Sequence, residues 1–139
     1  MMRTSRISDC KLLDLPKIHA ESGDITVINN LELIPFEIKR VYYLYDVPNR
    51  ADRGAHAHIE LHQLVVAVSG SFDIELFDGI HRMKFTLNHP DQGLLIVPGI
   101  WRELNNFSGG GICLVLASRE FDETDYIRDC INYKLWKSE

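Results

Sequence analysis

Phe72-Asp73-Ile74-Glu75-Leu76-Phe77-Asp78-Gly79-Ile80-His81-Arg82-Met83-Lys84-Phe85-Thr86-Leu87 reads as two strands and the turn between them. Phe72, Ile74 and Leu76 alternate with Asp73 and Glu75; past Asp78-Gly79, Met83, Phe85 and Leu87 alternate with Lys84 and Thr86. Strand side chains point to opposite faces in turn, so a period of two marks a sheet with one buried face. Asp-Gly supplies the backbone freedom a tight reversal needs. This hairpin sets the class as β.

Working outward, Leu64–Val68 is apolar on both faces and reads as a central strand. Strands are expected at Ile25–Asn29, Phe36–Val47, His58–Ser69, Phe72–Phe77, Met83–Leu87, Leu94–Val97 and Ile112–Ala117. Ser69-Gly70, Asn88-His89-Pro90 and Gly109-Gly110-Gly111 punctuate them as turns. Helical spacing is confined to Glu123–Trp136, with Asp122-Glu123-Thr124-Asp125 reading as its N-terminal cap. So many short strands must close into a sandwich or barrel to protect their edges. One all-β jelly-roll domain over residues 1–139, with a short C-terminal helix, is the expectation.

Composition narrows the function. The chain has 139 residues, 45% hydrophobic and 25% charged, and a formal net charge of -5. An acidic balance of that kind argues against nucleic-acid binding, which needs a dense basic surface. An anionic small ligand needs only a few local arginines and stays open. Cys10, Cys113 and Cys130 are odd in number and form no CxxC, which suits reduced thiols. The opening MMRTSRISDCKLLDLPKI lacks a signal-like apolar stretch, and no run approaches the ~18 residues of a membrane span. A soluble, cytoplasmic protein with no membrane partner is expected.

The densest polar cluster, Arg53-Gly54-Ala55-His56-Ala57-His58-Ile59-Glu60-Leu61-His62-Gln63, runs straight into Leu64–Val68. His56, His58 and His62 have one parity, shared with Leu64, Val66 and Val68, so a single interior face is expected for them. Histidines gathered there act as metal ligands or as proton-transfer groups, since imidazole titrates near neutral pH. His19, His81 and His89 are scattered among polar residues and read as ordinary surface groups. Arg40 and Tyr42 share a face of their strand; if it is interior, Tyr42 can donate a hydrogen bond and Arg40 can anchor a phosphate. Arg53 at the mouth of the histidine strand suits a pyrophosphate. Trp101 after Pro98-Gly99 can stack on a base or sugar or simply pack, and Arg102 with Glu103 can contact substrate or form an exposed pair.

Gly54-x-His56-x-His58-x3-His62, followed by Gly70, resembles the first cupin motif, with His62 where metal-binding cupins carry Glu. Gly93 to Asn105 resembles the second motif loosely and has no histidine between Pro98 and Asn105, which disfavours a metal centre. A closer resemblance runs in order from Ile25 to Tyr133. Ile38-Lys39-Arg40-Val41-Tyr42-Tyr43, Arg53-Gly54-x-His56-Ala57-His58, Val68-Ser69-Gly70-Ser71, Pro98-x-x-Trp101 and Phe121-Asp122-Glu123-Thr124-Asp125-Tyr126-Ile127-Arg128 resemble the dTDP-4-oxo-6-deoxyglucose 3,4-ketoisomerases, including WxcM-like C-terminal domains.

That resemblance implies a cupin (RmlC-like) jelly-roll β-barrel and an isomerase that moves a ketone from C4 to C3 of a dTDP-sugar without cofactor or metal. It implies catalytic His56, His58 and Tyr42, with Arg40, Arg53, His62, Trp101 and Arg102 contacting substrate. It also implies a homodimer exchanging N-terminal strands and a role in deoxy-amino sugars for surface glycans such as lipopolysaccharide. Where the family carries an Arg-Gly pair, this chain reads Glu21-Ser22-Gly23-Asp24. The competing readings are a metal-dependent cupin using His56, His58 and His62, a non-catalytic sugar-nucleotide sensor, and a 3- or 5-epimerase of related chemistry.

Overall fold

The computed structural model describes residues 2–139. In chain order its strands are β1 (Lys11–Asp14), β2 (Lys17–Ala20), β3 (Gly23–Thr26), β4 (Arg40–Leu44), β5 (Arg53–His58) and β6 (Gln63–Ser69). They continue as β7 (Phe72–Phe77), β8 (Arg82–Leu87), β9 (Gln92–Ile96), β10 (Trp101–Asn105), β11 (Ile112–Ala117) and β12 (Tyr126–Ile127), before helix α1 (Cys130–Ser138). Two five-stranded sheets run β1-β9-β6-β11-β4 and β12-β5-β10-β7-β8, and β2 and β3 form a separate hairpin. Neighbours in each sheet are mostly remote in sequence and pair antiparallel, which is jelly-roll wiring of the cupin kind.

The β7–β8 hairpin keeps the alternation seen in its sequence. Ile74 lies opposite Phe85, and Glu75 opposite Lys84. Phe72, Ile74 and Leu76 are fully buried against Val65, Ala67, Leu94, Ile96, Cys113 and Val115 of the facing sheet. Burying each such side chain is worth ~1.5–3 kcal/mol, so this shared interior supplies most of the hydrophobic drive.

The outer face of the first sheet is also covered. Leu64, Val66, Leu95 and Leu116 pack beneath Leu15, Ile34 and Phe36. This corrects the parity expected for the histidine strand: Val65 and Ala67 face the barrel interior, and Leu64 and Val66 face away from it. The cause is a bend between β5 and β6, so the expected strand His58–Ser69 is two strands. Ile59 N–H donates to the Asp125 carbonyl (2.9 Å) and Glu60 N–H to Asp125 Oδ1 (2.7 Å), where a straight strand would bond its neighbours. The bend resets the alternation.

Other boundaries move for local reasons. Of the strand expected at Ile25–Asn29 only Ile25 and Thr26 lie in one, as the end of β3, and Phe36–Val47 shortens to β4 because Phe36 dives into the outer layer. The helix expected over Glu123–Trp136 divides into a 3-10 turn at Glu123–Asp125, then β12, then α1. Asp122 caps the first, accepting from Thr124 N–H (3.0 Å), and Asp129 caps α1, accepting from Ile131 N–H (3.1 Å). From α1, Tyr133 is fully buried with its hydroxyl 2.8 Å from the Gly99 carbonyl oxygen. Lys137 donates to the same oxygen and to Ser5 O and Oγ, each at 2.8 Å.

Candidate active site

Between the sheets lies a cavity of about 510 Å³ whose walls include Arg40, Tyr42, Arg53, His56, Gln63 and Arg102. β5 delivers His56 by means of a bulge. Arg102 of β10 pairs with His56, yet Leu104 pairs with Arg53, so β5 spends three residues where β10 spends two. Gly54 takes the conformation this needs, φ +70, and a Cβ there would stand 2.5 Å from Leu104 Cδ1. As a result Arg53 and His56, of opposite parity, both line the cavity.

Behind His56 the imidazoles form a chain. His56 Nε2 is 3.1 Å from His58 Nε2, and His58 Nδ1 is 3.0 Å from Asp125 Oδ2. His58 is wholly buried. The Tyr126 ring covers both imidazoles, at centroid distances of 5.0 and 4.4 Å, and carries the Arg128 guanidinium at 4.1 Å. Burial lowers the His56 pKa to about 2, helped by the Arg102 charge and by His58. Burial also lowers that of His58, to about 4, against the opposing pull of the Asp125 hydrogen bond. Burial would raise the Asp125 pKa, but hydrogen bonds from His58 and the Glu60 N–H hold it below the usual carboxylate range.

The protonation pattern follows. An ionised carboxylate only accepts, so Nδ1 of His58 carries a proton and its Nε2 holds a lone pair. That lone pair accepts the Nε2–H of His56, which leaves Nδ1 of His56 unprotonated. The chain Asp125–His58–His56 thus has the arrangement to serve as a base at the cavity wall, with a route for stabilising the positive charge a base would acquire.

Two arginines complete the electrostatics. Arg102 is buried, donating to Gln63 Oε1 and, at 3.3 and 3.1 Å, to the Ile100 carbonyl. Arg40 stands over the rings of Tyr42 and Phe121, at 5.2 and 5.8 Å, and its buried Nε and Nη2 have no hydrogen-bond partner among the described residues. Buried donors left unpaired are costly, and an anion in the cavity is the group that would satisfy them.

Of the residues singled out in the sequence, Arg40, Tyr42, Arg53, His56 and Arg102 line the cavity, with His58 directly behind. Two do not reach it. His62 lies on the far side of the bend, its ring 6.0 Å from Phe36, and Trp101 is buried against Tyr133 at 5.6 Å with its indole N–H on Glu103. With His62 displaced, the three histidines do not converge, and among the described residues no group of three or more His, Cys, Asp or Glu is placed to hold a metal ion. Sequence reasoning missed Gln63 and the second role of Asp125. The signal for Asp125 was in plain view as the last acid of Asp122-Glu123-Thr124-Asp125, but a capping motif accounts for it equally well.

Residues 8–138 match the family model described as FdtA: WxcM-like, C-terminal. The chain belongs to the FdtA family. A relative from Aneurinibacillus thermoaerophilus, the TDP-4-oxo-6-deoxy-alpha-D-glucose-3,4-oxoisomerase, is 41% identical over 89% of both chains. The FdtA-family fold recurs in a 3,4-ketoisomerase from Helicobacter canadensis, 42% identical, with a TM-score of 0.92 over 94% of this chain and 98% of that one. It recurs in a His-to-Asn variant of the 3,4-ketoisomerase QdtA from Thermoanaerobacterium thermosaccharolyticum, in complex with TDP-4-keto-6-deoxyglucose. That protein is 39% identical, with a TM-score of 0.91 over 93% of this chain and 94% of that one.

Proposed function

We propose that the protein is a sugar-nucleotide 3,4-ketoisomerase that moves the ketone of a dTDP-linked 4-oxo-6-deoxyhexose from C4 to C3. The observation that carries this reading is the Asp125–His58–His56 chain ending at a cavity that also holds unsatisfied Arg40 donors. The reaction needs a base for the C3 proton, which the adjacent carbonyl acidifies, and donors for the oxyanion that follows. His56 takes the C3 proton; the C–H electrons form the C3–C4 double bond, and charge moves to O4. Transfer of the O3 proton to O4, then delivery to C4 of a proton from His56, which exchanges with solvent while it is protonated, leaves the carbonyl at C3. Asp125 and His58 stabilise the His56 imidazolium while it holds the proton. Tyr42 donates to the sugar oxyanion, and Arg40 with Arg53 takes the pyrophosphate.

C3 is oxidised as C4 is reduced, so the reaction has no net redox change and calls for no cofactor. Its product, a 3-oxo sugar, is what an amine-transfer reaction at C3 would consume, which fits a place in deoxy-amino sugar supply for lipopolysaccharide. A homodimer with exchanged N-terminal strands is supported by the β2–β3 hairpin, whose Ile18 and Ile25 are exposed, and by β4, an edge strand presenting Val41 and Tyr43. The deciding experiment is incubation with TDP-4-oxo-6-deoxyglucose in deuterated buffer, followed by NMR of the sugar ring. The 3-oxo product with solvent-derived label at C4 is expected; unchanged substrate, or exchange only at C5, would overturn the reading.

A further inference from the structure

We infer that Gln63, clamped by Arg102, is a positioning residue that fixes Tyr42 as a hydrogen-bond donor to the cavity. This rests on the isomerase reading above and extends it to the polarity of one hydroxyl. Gln63 opens β6 on the interior side of the bend and is buried. Its side chain touches two groups: Arg102 Nη1 donates to Oε1, and Nε2 donates to the Tyr42 hydroxyl at 3.0 Å.

The direction of both bonds follows from chemistry. A guanidinium has donors and no acceptor, so whichever amide atom faces Arg102 must be the oxygen. The amide NH2 is then turned to Tyr42 and can only donate. Because Tyr42 Oη is already accepting, its own proton points elsewhere, and the residue lines the cavity. Arg102 in turn is held by the Ile100 carbonyl through Nε and Nη2, so the clamp cannot rotate freely. The run Arg102–Gln63–Tyr42 therefore passes a buried positive charge toward the phenol oxygen and leaves the phenol proton free for a substrate oxyanion. Burial raises the Tyr42 pKa, while the Arg102 charge and the Gln63 hydrogen bond pull it back toward its ordinary value. Such a phenol stays protonated at neutral pH yet is polarised to donate.

The test compares Gln63→Glu, Tyr42→Phe and the double variant. Gln63→Glu keeps the size and the contact with Arg102 but replaces the donor with an acceptor, so the Tyr42 proton turns away from the cavity. Removing one oxyanion donor costs on the order of 10²–10³ in kcat. Gln63→Glu and Tyr42→Phe should each lose roughly that factor with KM little changed, and the double variant should be no slower than Tyr42→Phe alone. A merely structural Gln63 would give wild-type kcat in Gln63→Glu, or losses that multiply in the double variant; either result overturns the inference, as does wild-type turnover in Tyr42→Phe. If Gln63→Glu fails to fold, Gln63→Met, which also cannot donate, is judged by the same comparison. Failure of the isomerase reading is seen separately, as wild-type protein that leaves TDP-4-oxo-6-deoxyglucose unchanged.

Discussion

Asparagine in place of Asp125 would keep the shape of the side chain and invert its message. Glu60 N–H needs the amide oxygen as its acceptor, so the NH2 group faces His58 Nδ1; that nitrogen must then give up its proton, which moves to Nε2 and points at His56. His56 then loses its acceptor partner, and the imidazolium it must form loses its counter-charge. Asp125→Asn should lower kcat by ~10²-fold or more, with KM little changed, in steady-state kinetics. His56→Asn removes the base itself, and general acid–base groups typically contribute ~10²–10⁴-fold. It should abolish the appearance of label at C4 while the protein remains folded. The low pKa of His56, about 2, and that of His58, about 4, also set the pH response of the free enzyme. Both groups sit below the ordinary 6.5, so the base stays neutral and competent as pH falls through 6.5. The acid limb of kcat/KM is therefore expected well below pH 6; a limb near 6.5 would mean that a solvated histidine is the base.

The Gly54 bulge decides which way β5 aims its side chains. Alanine there would meet both a positive φ and Leu104 Cδ1 at 2.5 Å. Gly54→Ala should cost ~1–3 kcal/mol of stability, read from the urea midpoint, and should lower kcat because His56 follows the bulge. Elements of this kind explain what was legible in the sequence. β7 and β8 alternate cleanly because one face meets the core and the other carries charge, and the two-fold pattern is all that a single strand can show. β10 hid itself, since Trp101-Arg102-Glu103-Leu104-Asn105 places a buried arginine where alternation calls for an apolar residue. His56 and His58 were legible as a spaced pair. The His62 reading failed because parity holds only along an unbroken strand, and the bend at 59–62 is made by Asp125, which sequence spacing cannot bring near. The two readings of Trp101, stacking or packing, stayed open for a related reason: its packing partner Tyr133 lies on α1, and nothing local distinguishes a packed indole from a stacking platform.

At the scale of the whole molecule, the proposed exchanged-strand dimer rests on the exposed β2–β3 hairpin and the open edge at β4. Light scattering at micromolar concentration should return about twice the mass of one chain, and a monomer mass would contradict the exchanged-strand dimer. The separation of His58 from Asp125, 67 residues, has its own consequence for how the molecule comes into being. Chains emerge from the ribosome N-terminal end first, so β5 and β6 are made long before the carboxylate that organises the turn between them. During that interval the Glu60 amide has no acceptor, His58 has no partner, and β5 lacks both β10 and β12 as neighbours. Contacts of such long range are also slow to form, because loop closure must precede any reward. β5 thus waits first for β10 and then for β12, as a bare edge open to pairing with other nascent chains. A pause in translation between residues 58 and 125 would lengthen that exposure, so the features that make the site rigid once complete also make it dependent on timely synthesis.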